Sequence, residues 1–528
     1  MNTNFKPLGL AAAVAAISAG YAGAVSAQAE VAAETELGDL AIVPYYTVME
    51  GYSTGVNIIN TSAKTQVLKF RFRRAVDSMD ALDFNVVLSP KDMYTGFIGT
   101  DGEDIFWTSN DNSCVAPAYG NLDAADNQFQ MPGLYRLGAE TGYIEIISMG
   151  SPLTEGAPIA VSAKHDSEGM PADCAAVRDN FFASKKLASG APDLTKRGVI
   201  NSAQTHQYDS KGVAQASMFE ASPDSLKVSY FIKSDETGVE FGDNAVHVAG
   251  FLATPAMTNQ QAGIFSQDLQ GFDHPDLNGG SPLDILPPAN GGLGVDSRGK
   301  YNELRDILGS AALINDWSKN TVESLGATVD TDWVVTLPGQ YVMLDLGQYL
   351  LSGGAGGGAA NCLRLDAALA RNAANPTSPI GDVEACDFRD IPLTASFTVY
   401  DREEQGIIIE EGDLVVSPSP PTSVPDQALK DEVNVIQWGE TPVLNAPVSV
   451  TVPTPDGSKF GWAALTTQPV DANLAICDFD VFAADYNCLT AVTGTTPVVG
   501  FAVWQRAFDA NPGSNYGRIV EHSRVASS

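Results

Sequence analysis

After its first residues the chain has no run that approaches the roughly 20 apolar residues of a membrane-spanning helix. Positive charge is also scarce: 30 Lys and Arg stand against 64 Asp and Glu, for a net charge of -34. There are only 5 His, and neither a CxxC pair nor an HExxH motif occurs, so no zinc site of familiar spacing is indicated. An acidic surface of this kind repels nucleic acid and anionic lipid, which excludes nucleic acid as an expected partner.

The first residues have the three parts of a secretory signal. Lys6 supplies the positive charge, residues 8–24 are mostly apolar, and Val25-Ser26-Ala27 offers small residues for cleavage. This order is typical of a signal peptide that is removed on export. We expect residues 1–27 to be removed, no transmembrane segment to remain, and the mature protein to be secreted to the periplasm, the cell surface or the medium. An uncleaved N-terminal anchor is the alternative.

The cysteines are consistent with export. There are six of them, and an even count in an exported chain favours disulfides, although six cysteines allow 15 pairings. Pairing of sequential neighbours closes each loop within one region and predicts the bonds Cys114–Cys174, Cys362–Cys386 and Cys477–Cys488.

Strand patterns dominate the mature chain. In residues 65–73, Leu68, Phe70 and Phe72 alternate with basic residues, which is the period of a half-buried strand. Similar short runs recur to residue 504, and clusters such as Asp101-Gly102 separate them. Many short strands with turn residues between them predict a mainly β protein made of antiparallel β-sandwich modules of the immunoglobulin-like kind, with a few short helices.

Composition suggests where the chain divides. Residues 271–299 are rich in Gly, Pro and Asp and indicate a linker or long loop, which separates β-rich regions at 30–270 and 300–528. Residues 417–425 contain four prolines and indicate a second extended segment. Short helices are expected at 173–187, capped by Asp173, at 301–308 and at 363–372.

Two patterns resemble catalytic motifs, and neither has its full context. Gly51-Tyr-Ser53-Thr-Gly55 fits the G-x-S-x-G motif of serine hydrolases, but a strand follows it instead of the helix that this motif requires. Asp401 and Glu403 would lie about 7 Å apart on one face of a continuing strand, as the two carboxylates of a glycoside hydrolase can. A solvated acidic strand end is the alternative, and no catalytic residue is assigned.

Calcium is the cofactor that the acidic loops would suit. Asp101, Glu103 and Asp104 lie in one such loop and Asp111 in another. Carboxylate oxygens are the ligands that Ca²⁺ prefers, although neither loop has the EF-hand spacing. Polar turns without metal are the alternative.

A basic stripe is the one locally positive feature. Lys69, Arg71, Arg73 and Arg74 occur within a single predicted strand. Such a stripe could dock an acidic surface, including that of a second copy. The alternative is cross-strand pairing with acids of the same sheet such as Asp80 or Asp83.

The chain resembles a group of uncharacterised exported proteins of proteobacteria that are described only as cell-surface proteins. The resemblance lies in strand and turn sequences spread over most of the mature chain: residues 43–48 (VPYYTV), 57–61 (NIINT), 83–90 (DFNVVLSP), 142–147 (GYIEII), 331–336 (TDWVVT) and 515–517 (NYG). It implies an exported surface protein and supplies no functional residues to carry over.

Together these observations predict a secreted or cell-surface protein with a structural, adhesive or self-assembling role, whose partners are itself or other cell-surface components. One alternative is a secreted hydrolase that acts on polysaccharide, which would need two carboxylates in a cleft. The other is a carbohydrate- or calcium-binding module without catalysis.

Overall fold

The computed structural model describes residues 37–178, 219–258, 299–339, 393–409, 428–468 and 496–525, apart from 77, 79, 122–123, 132–135, 137, 323–325, 430 and 509. It also describes the short segments 30–31, 199–201, 275–277, 476–480 and 485–489. The signal segment, Cys362, Cys386, the Pro-rich segment and the helix expected at 363–372 lie outside these residues. Within them the protein is mainly β, with antiparallel sheets and few helices, which confirms the fold class at that level.

The strands of the first β-rich region follow one another closely along the chain. They are β1 Glu30–Val31, β2 Leu40–Thr47, β3 Tyr52–Asn60, β4 Gln66–Arg74, β5 Asp80–Leu88, β6 Met93–Asp101, β7 Asp104–Thr108, β8 Cys114–Ala116, β9 Gln128–Gln130, β10 Thr141–Pro152, β11 Val199–Asn201, β12 Phe219–Glu220, β13 Leu226–Ser234, β14 Glu240–Asn244, β15 Val246–Ala249 and β16 Ala256–Thr258.

The second region continues the numbering. Its strands are β17 Ala312–Ser318, β18 Thr321–Val322, β19 Thr328–Thr336, β20 Leu393–Asp401, β21 Gly406–Ile409, β22 Ala428–Leu429, β23 Val433–Gln437, β24 Ser449–Thr451, β25 Phe460–Gln468, β26 Ile476–Asp480, β27 Asp485–Leu489, β28 Val499–Ala507, β29 Tyr516–Glu521 and β30 Ser523–Val525. The helices are α1 Pro158–Ala163, α2 Cys174–Val177 and α3 Gly299–Leu308, with 3₁₀ turns at Met49–Gly51 and Pro512–Ser514.

These strands form four larger sheets. Sheet 1 has the order β1-β15-β2-β10-β4-β5-β8, with β12 on β10, and sheet 2 has the order β14-β13-β3-β6-β7-β9. Sheet 3 is β24-β23-β19-β28-β29 with β18 on β19, and sheet 4 is β21-β20-β25-β17-β30 with β22 on β20. The β23–β24 pair is parallel. Two further sheets have two strands each, β11-β16 and β26-β27.

One apolar core is shared by the two β-rich regions. Sheets 1 and 2 supply most of it, including Phe70, Phe84 and Trp107, and the Phe70 ring lies 5.0 Å from each of the other two rings. Val334 and Phe501 of sheet 3 belong to the same cluster. The two β-rich regions on either side of residues 271–299 therefore share apolar contacts, so that each region covers part of the other.

The opposite face of sheet 3 packs on sheet 4 in a second core. Trp333 and Trp438 contact at 4.9 Å, and Trp317 stacks on Trp438 at 5.7 Å. Phe397 and Leu465 of sheet 4 complete the cluster. The centre of sheet 3 is thus covered on both faces, which agrees with the continuous apolar run Trp333-Val334-Val335 in β19, where Trp333 and Val334 point into different cores.

Glycines occupy two of the turns between strands, and one of these turns, Asp101-Gly102, is predicted from the sequence. Asp101-Gly102 joins β6 to β7, and Pro455-Asp456-Gly457 precedes β25. Gly102 and Gly457 have φ of 63° and 76°, in the left-handed region that glycine adopts without a Cβ penalty.

The helices are short. The Asp173 side chain accepts from the Ala176 N–H at 2.8 Å and caps α2, as expected. Residues 179–187 of the helix predicted at 173–187 lie outside the described part of the chain. Helix α3 covers the helix predicted at 301–308. Helix α2 is tied to sheet 1 by the disulfide Cys114–Cys174, which confirms that predicted pair. In the described part of the chain, no helix has the length and apolar character needed to cross a bilayer.

Candidate functional site

An open cleft lies at the end of sheets 1 and 2 where β5 turns into β6. Its volume is about 630 Å³, and it is lined by the β5–β6 turn, by the loop 110–112 after β7 and by residues around 164–169. It combines the acids Asp92, Asp111 and Glu155 with Lys164 and His165. Both signs of charge meet there, so the cleft suits a polar ligand better than an apolar one.

A serine, a histidine and an aspartate meet in this cleft. Asp92 Oδ2 lies 3.3 Å from His165 Nδ1 and accepts from the Ser89 hydroxyl at 3.2 Å, while Ser89 Oγ also lies 3.3 Å from Nδ1. Burial raises the pKa of Asp92, although His165 and the backbone N–H groups of Ser89 and Met93 oppose that shift. In a catalytic triad the serine and the acid use different ring nitrogens. Here both approach Nδ1, so this cluster can bind and orient a polar group but does not have the proton relay of a triad.

The residues considered for calcium do not converge. Asp101, Glu103 and Asp104 lie at the β6–β7 turn, where Arg136 contacts Asp104 and lies 3.8 Å from Glu103. Asp111 lies beyond the other end of β7, where its carboxylate accepts from Ser113 N–H at 2.8 Å. The strand between them spans about 13 Å. Among the described residues no group of three or more His, Cys, Asp or Glu is placed to hold a metal ion.

The basic stripe of β4 is not on the surface, which corrects the docking interpretation of these residues. Lys69, Arg71 and Arg73 are buried, and Arg74 is half-buried. The face of β4 that the alternation assigns to solvent is therefore an interior face. The strand is covered on both sides, unlike the half-buried strand that its period predicts.

The buried cations pair with acids of the same sheet, which is the alternative that the sequence left open. Lys69 Nζ lies 2.9 Å from Asp83 Oδ2, and Arg71 Nε lies 2.8 Å from Asp80 Oδ2. Glu145 of β10 lies 3.5 Å from Arg71 Nη1. Cations can be buried when carboxylates and hydrogen bonds replace water around them.

This ionic cluster is covered by distant segments. Arg71 Nη1 donates to the Pro275 carbonyl at 2.8 Å, and Leu277 is fully buried, so a part of the expected linker lies against the sheet. Ser78 donates to Glu432 and shares a hydrogen bond of 2.9 Å with Tyr143. The charged face is thus enclosed by residues from both β-rich regions and serves the interior of the fold.

A cluster of arginine and aromatic side chains on β28 and β29 is partly exposed, in contrast to the buried cations of β4: Trp504 and Arg506 are half-buried, and Tyr516 and Arg518 are exposed. Trp504 and Arg506 of β28 lie directly opposite Arg518 and Tyr516 of β29. The Arg518 guanidinium lies 5.0 Å from the Trp504 ring, and that of Arg506 lies 5.4 Å from the Tyr516 ring. Trp504 packs on the second core, while Tyr516 is 48% exposed and Arg518 is exposed. We call Trp504, Arg506, Tyr516 and Arg518 the arginine–aromatic face.

The carboxylates considered for glycoside hydrolysis lie at a turn. Asp401 accepts from the N–H groups of Glu403 and Gln405 and from the Ser458 hydroxyl, at 2.9, 2.8 and 2.9 Å. Partial burial favours a higher pKa, but these hydrogen bonds outweigh it and hold the pKa of Asp401 below its usual range. Glu403 pairs with Arg402 in solvent. A general acid needs a raised pKa, so Asp401 does not suit that role.

The G-x-S-x-G sequence also has a structural explanation. Gly51 is in a turn with φ of 76°, but Gly55 is inside β3 opposite Phe231. A Cβ on Gly55 would lie 2.2 Å from the Phe231 ring. This glycine therefore makes room for a neighbouring aromatic side chain instead of relieving a turn.

Comparison of the chain with models of protein families, with characterised proteins and with solved structures finds no match.

The arginine–aromatic face was missed by sequence reasoning. Its local signals are Trp504-Gln505-Arg506 and Tyr516-Gly517-Arg518, in which an aromatic residue and an arginine are two positions apart. On strands such residues share one side. The two signals combine only through the β28–β29 register, which the sequence does not specify.

Proposed function

We propose that the protein is an exported component of the cell surface with a structural or adhesive role, built from antiparallel β-sandwich modules of the immunoglobulin-like kind. The observation that carries the adhesive role is the arginine–aromatic face. Trp, Tyr and Arg are the residue types most enriched among those that dominate binding energy at protein interfaces. Here they are held in register on two paired strands of a chain with a net charge of -34.

The sandwich arrangement is supported by the two apolar cores. Sheets 1 and 2 contribute facing apolar side chains to the first core, and sheets 3 and 4 do so to the second. Sheets that share a core of this kind bury the alternate residues of each strand. The edge strands of such sheets can contact partners.

Export is supported by the signal-like first 27 residues and by the disulfide Cys114–Cys174. Disulfides persist in oxidising compartments and are rare in the cytosol. This bond, between residues 60 positions apart, ties α2 to sheet 1 and would persist in an oxidising compartment outside the cytoplasm.

A second candidate is a binding module for a polar ligand such as a carbohydrate, and the cleft beside His165 favours it. Asn110 and Asn112 line this cleft together with Lys164. Amide and ammonium groups of this kind donate to hydroxyl groups of a ligand. Screening of neutral and acidic oligosaccharides against the mature protein, with Lys164→Ala as the variant, tests this function separately.

Fractionation of the native host tests the main proposal. Periplasm, washed outer surface and medium are probed for the protein, and the N-terminus of the recovered chain is determined by mass spectrometry. Recovery from the outer surface, with residues 1–27 removed, is the expected result. Retention in the cytoplasm with an intact N-terminus would exclude the proposed role.

A further inference from the structure

We propose that the arginine–aromatic face docks on a second copy of this chain, at an apolar and acidic face of sheet 2, so that copies join head to tail. This inference rests on the proposed structural function and names the partner. The receiving surface consists of Met93, Phe97, Asp101 and Glu103, which we call the acidic–apolar face.

The arginine–aromatic face is organised before any partner arrives. Its side chains form two directly opposed cross-strand pairs, and guanidinium groups lie over the indole and phenol rings at 5.0 and 5.4 Å. Trp504 is anchored on the second core. Side chains that are already ordered lose less conformational entropy on binding, which strengthens an interface without new contacts.

The acidic–apolar face has the complementary composition. Met93, Phe97 and Asp101 lie on one side of β6, whose other side buries Tyr94 and Ile98, and Glu103 follows in the β6–β7 turn. Met93 and Phe97 are each 43% exposed, and the Glu103 side chain is 95% exposed. Met93 and Phe97 offer an apolar surface on which Trp and Tyr rings can pack. Asp101 and Glu103 offer carboxylates that can accept hydrogen bonds from Arg.

Local charge favours a copy of this chain as the occupant. With 64 acidic and 30 basic residues, two copies repel each other overall, so their association needs a local match of opposite charges. The exposed Arg518 beside the half-buried Arg506 supplies positive charge, and Asp101 and Glu103 supply negative charge. A positive patch that meets a negative patch sets register and disfavours wrong orientations. Because β6 and β28–β29 are different surfaces, the contact is heterologous, and repeating it builds a ring or an open filament.

Sedimentation velocity of the mature protein, at increasing concentration in about 0.15 M salt, tests the inference. At this salt the repulsion between distant charges of two copies is largely screened, while charges in contact still attract, and wild type is expected to associate. Arg518→Glu and Asp101→Arg are each expected to weaken the association by on the order of tenfold or more. A mixture of the two variants is expected to associate again, because each supplies the face that the other has lost.

Arg402→Glu is the matched control, since Arg402 is exposed and lies 4.2 Å from the Phe460 ring on another surface. This variant is expected to associate as wild type does. Circular dichroism checks that each variant is folded. Recovery of association in the mixture is a second check, because misfolded chains would not restore it. A monomeric wild type, or association unchanged by Arg518→Glu, would overturn the inference.

Binding of an acidic polysaccharide through Arg518 by a protein that stays monomeric would also overturn it. A protein found on the cell surface but monomeric would retain the proposed function and lose this inference. A protein that is retained in the cytoplasm but associates in solution would retain this inference and lose the proposed function.

Discussion

Lys69 Nζ lies 2.9 Å from Asp83 Oδ2, and both side chains are fully buried. The lysine is on β4 and the aspartate on β5, and the pair lies on the face of sheet 1 opposite the aromatic core. Removing one partner of a buried ion pair costs more than the pair contributes, because a charge then remains in a poorly solvating interior. This relationship makes the pair a sensitive test of the fold.

Asp83→Asn is expected to lower the free energy of unfolding by about 3–5 kcal/mol. The double variant Lys69→Met with Asp83→Leu is expected to recover most of that loss, because neither charge is then buried. Urea unfolding followed by tryptophan fluorescence measures both. The exposed pair Lys64–Glu220 provides the control, and Glu220→Gln is expected to cost about 1 kcal/mol or less. Equal losses of unfolding free energy for Asp83→Asn and Glu220→Gln would show that Lys69 is solvated.

Asp332 predicts a specific dependence of stability on pH. Burial raises its pKa from 3.8 to about 7, although the N–H groups of Leu444 and Val443 donate to Oδ2 at 2.9 and 2.8 Å. From pH 4 to 7 the folded carboxyl keeps its proton while the unfolded one loses it, so its contribution to stability falls as pH rises. The slope is about 1.4 kcal/mol per pH unit.

His522 acts in the opposite direction, because burial lowers its pKa from 6.5 to about 4. Its contribution therefore rises between pH 4 and 6.5, and the Asp332 effect must be read as the difference between wild type and Asp332→Asn. Urea midpoints from pH 4 to 8 measure that difference. Asp316→Asn on β17, where Asp316 is exposed, is the control. Parallel curves for wild type and Asp332→Asn would show that Asp332 is ionised in the folded protein.

Gly517 is expected to be intolerant of a side chain. A Cβ at this position would lie 2.0 Å from the Phe241 ring of β14, where the edge of sheet 2 meets that of sheet 3. Gly517→Ala is therefore expected to destabilise by about 1–3 kcal/mol through overpacking. Gly99→Ala on β6, where the nearest atoms are 3.9 Å from the added Cβ, is expected to change stability by about 0.5 kcal/mol or less. Thermal unfolding of both variants decides the point, and equal melting temperatures would place β14 away from β29.

The Cys114–Cys174 bond is expected to be a major source of stability. It joins residues 60 positions apart, and its removal by Cys114→Ser with Cys174→Ser is expected to cost about 4 kcal/mol, since the unfolded chain gains freedom. Peptide mass mapping under non-reducing conditions checks this bond and the predicted bonds Cys362–Cys386 and Cys477–Cys488. The β26–β27 register places Cys477 opposite Cys488. A map that links Cys477 to Cys362 would contradict the pairing of sequential neighbours.

Local signals in the sequence predict strands and turns well but predict burial poorly. The alternation of Phe70 and Phe72 with Arg71 and Arg73 gives a strand, yet its polar side becomes interior because Asp80, Asp83 and Glu145 arrive from β5 and β10. That outcome depends on pairing between distant segments. The arginine–aromatic face has the same origin, since each strand contributes only two of its residues.

The core shared by Phe84, Val334 and Phe501 has a consequence for biogenesis. During synthesis from the N-terminus, β2 to β13 are made long before β23 and β28, which cover part of their apolar side chains. Apolar surface that stays exposed until the covering strands are made is prone to aggregation. The nascent chain is therefore expected to need a holdase chaperone until β28 has been synthesised.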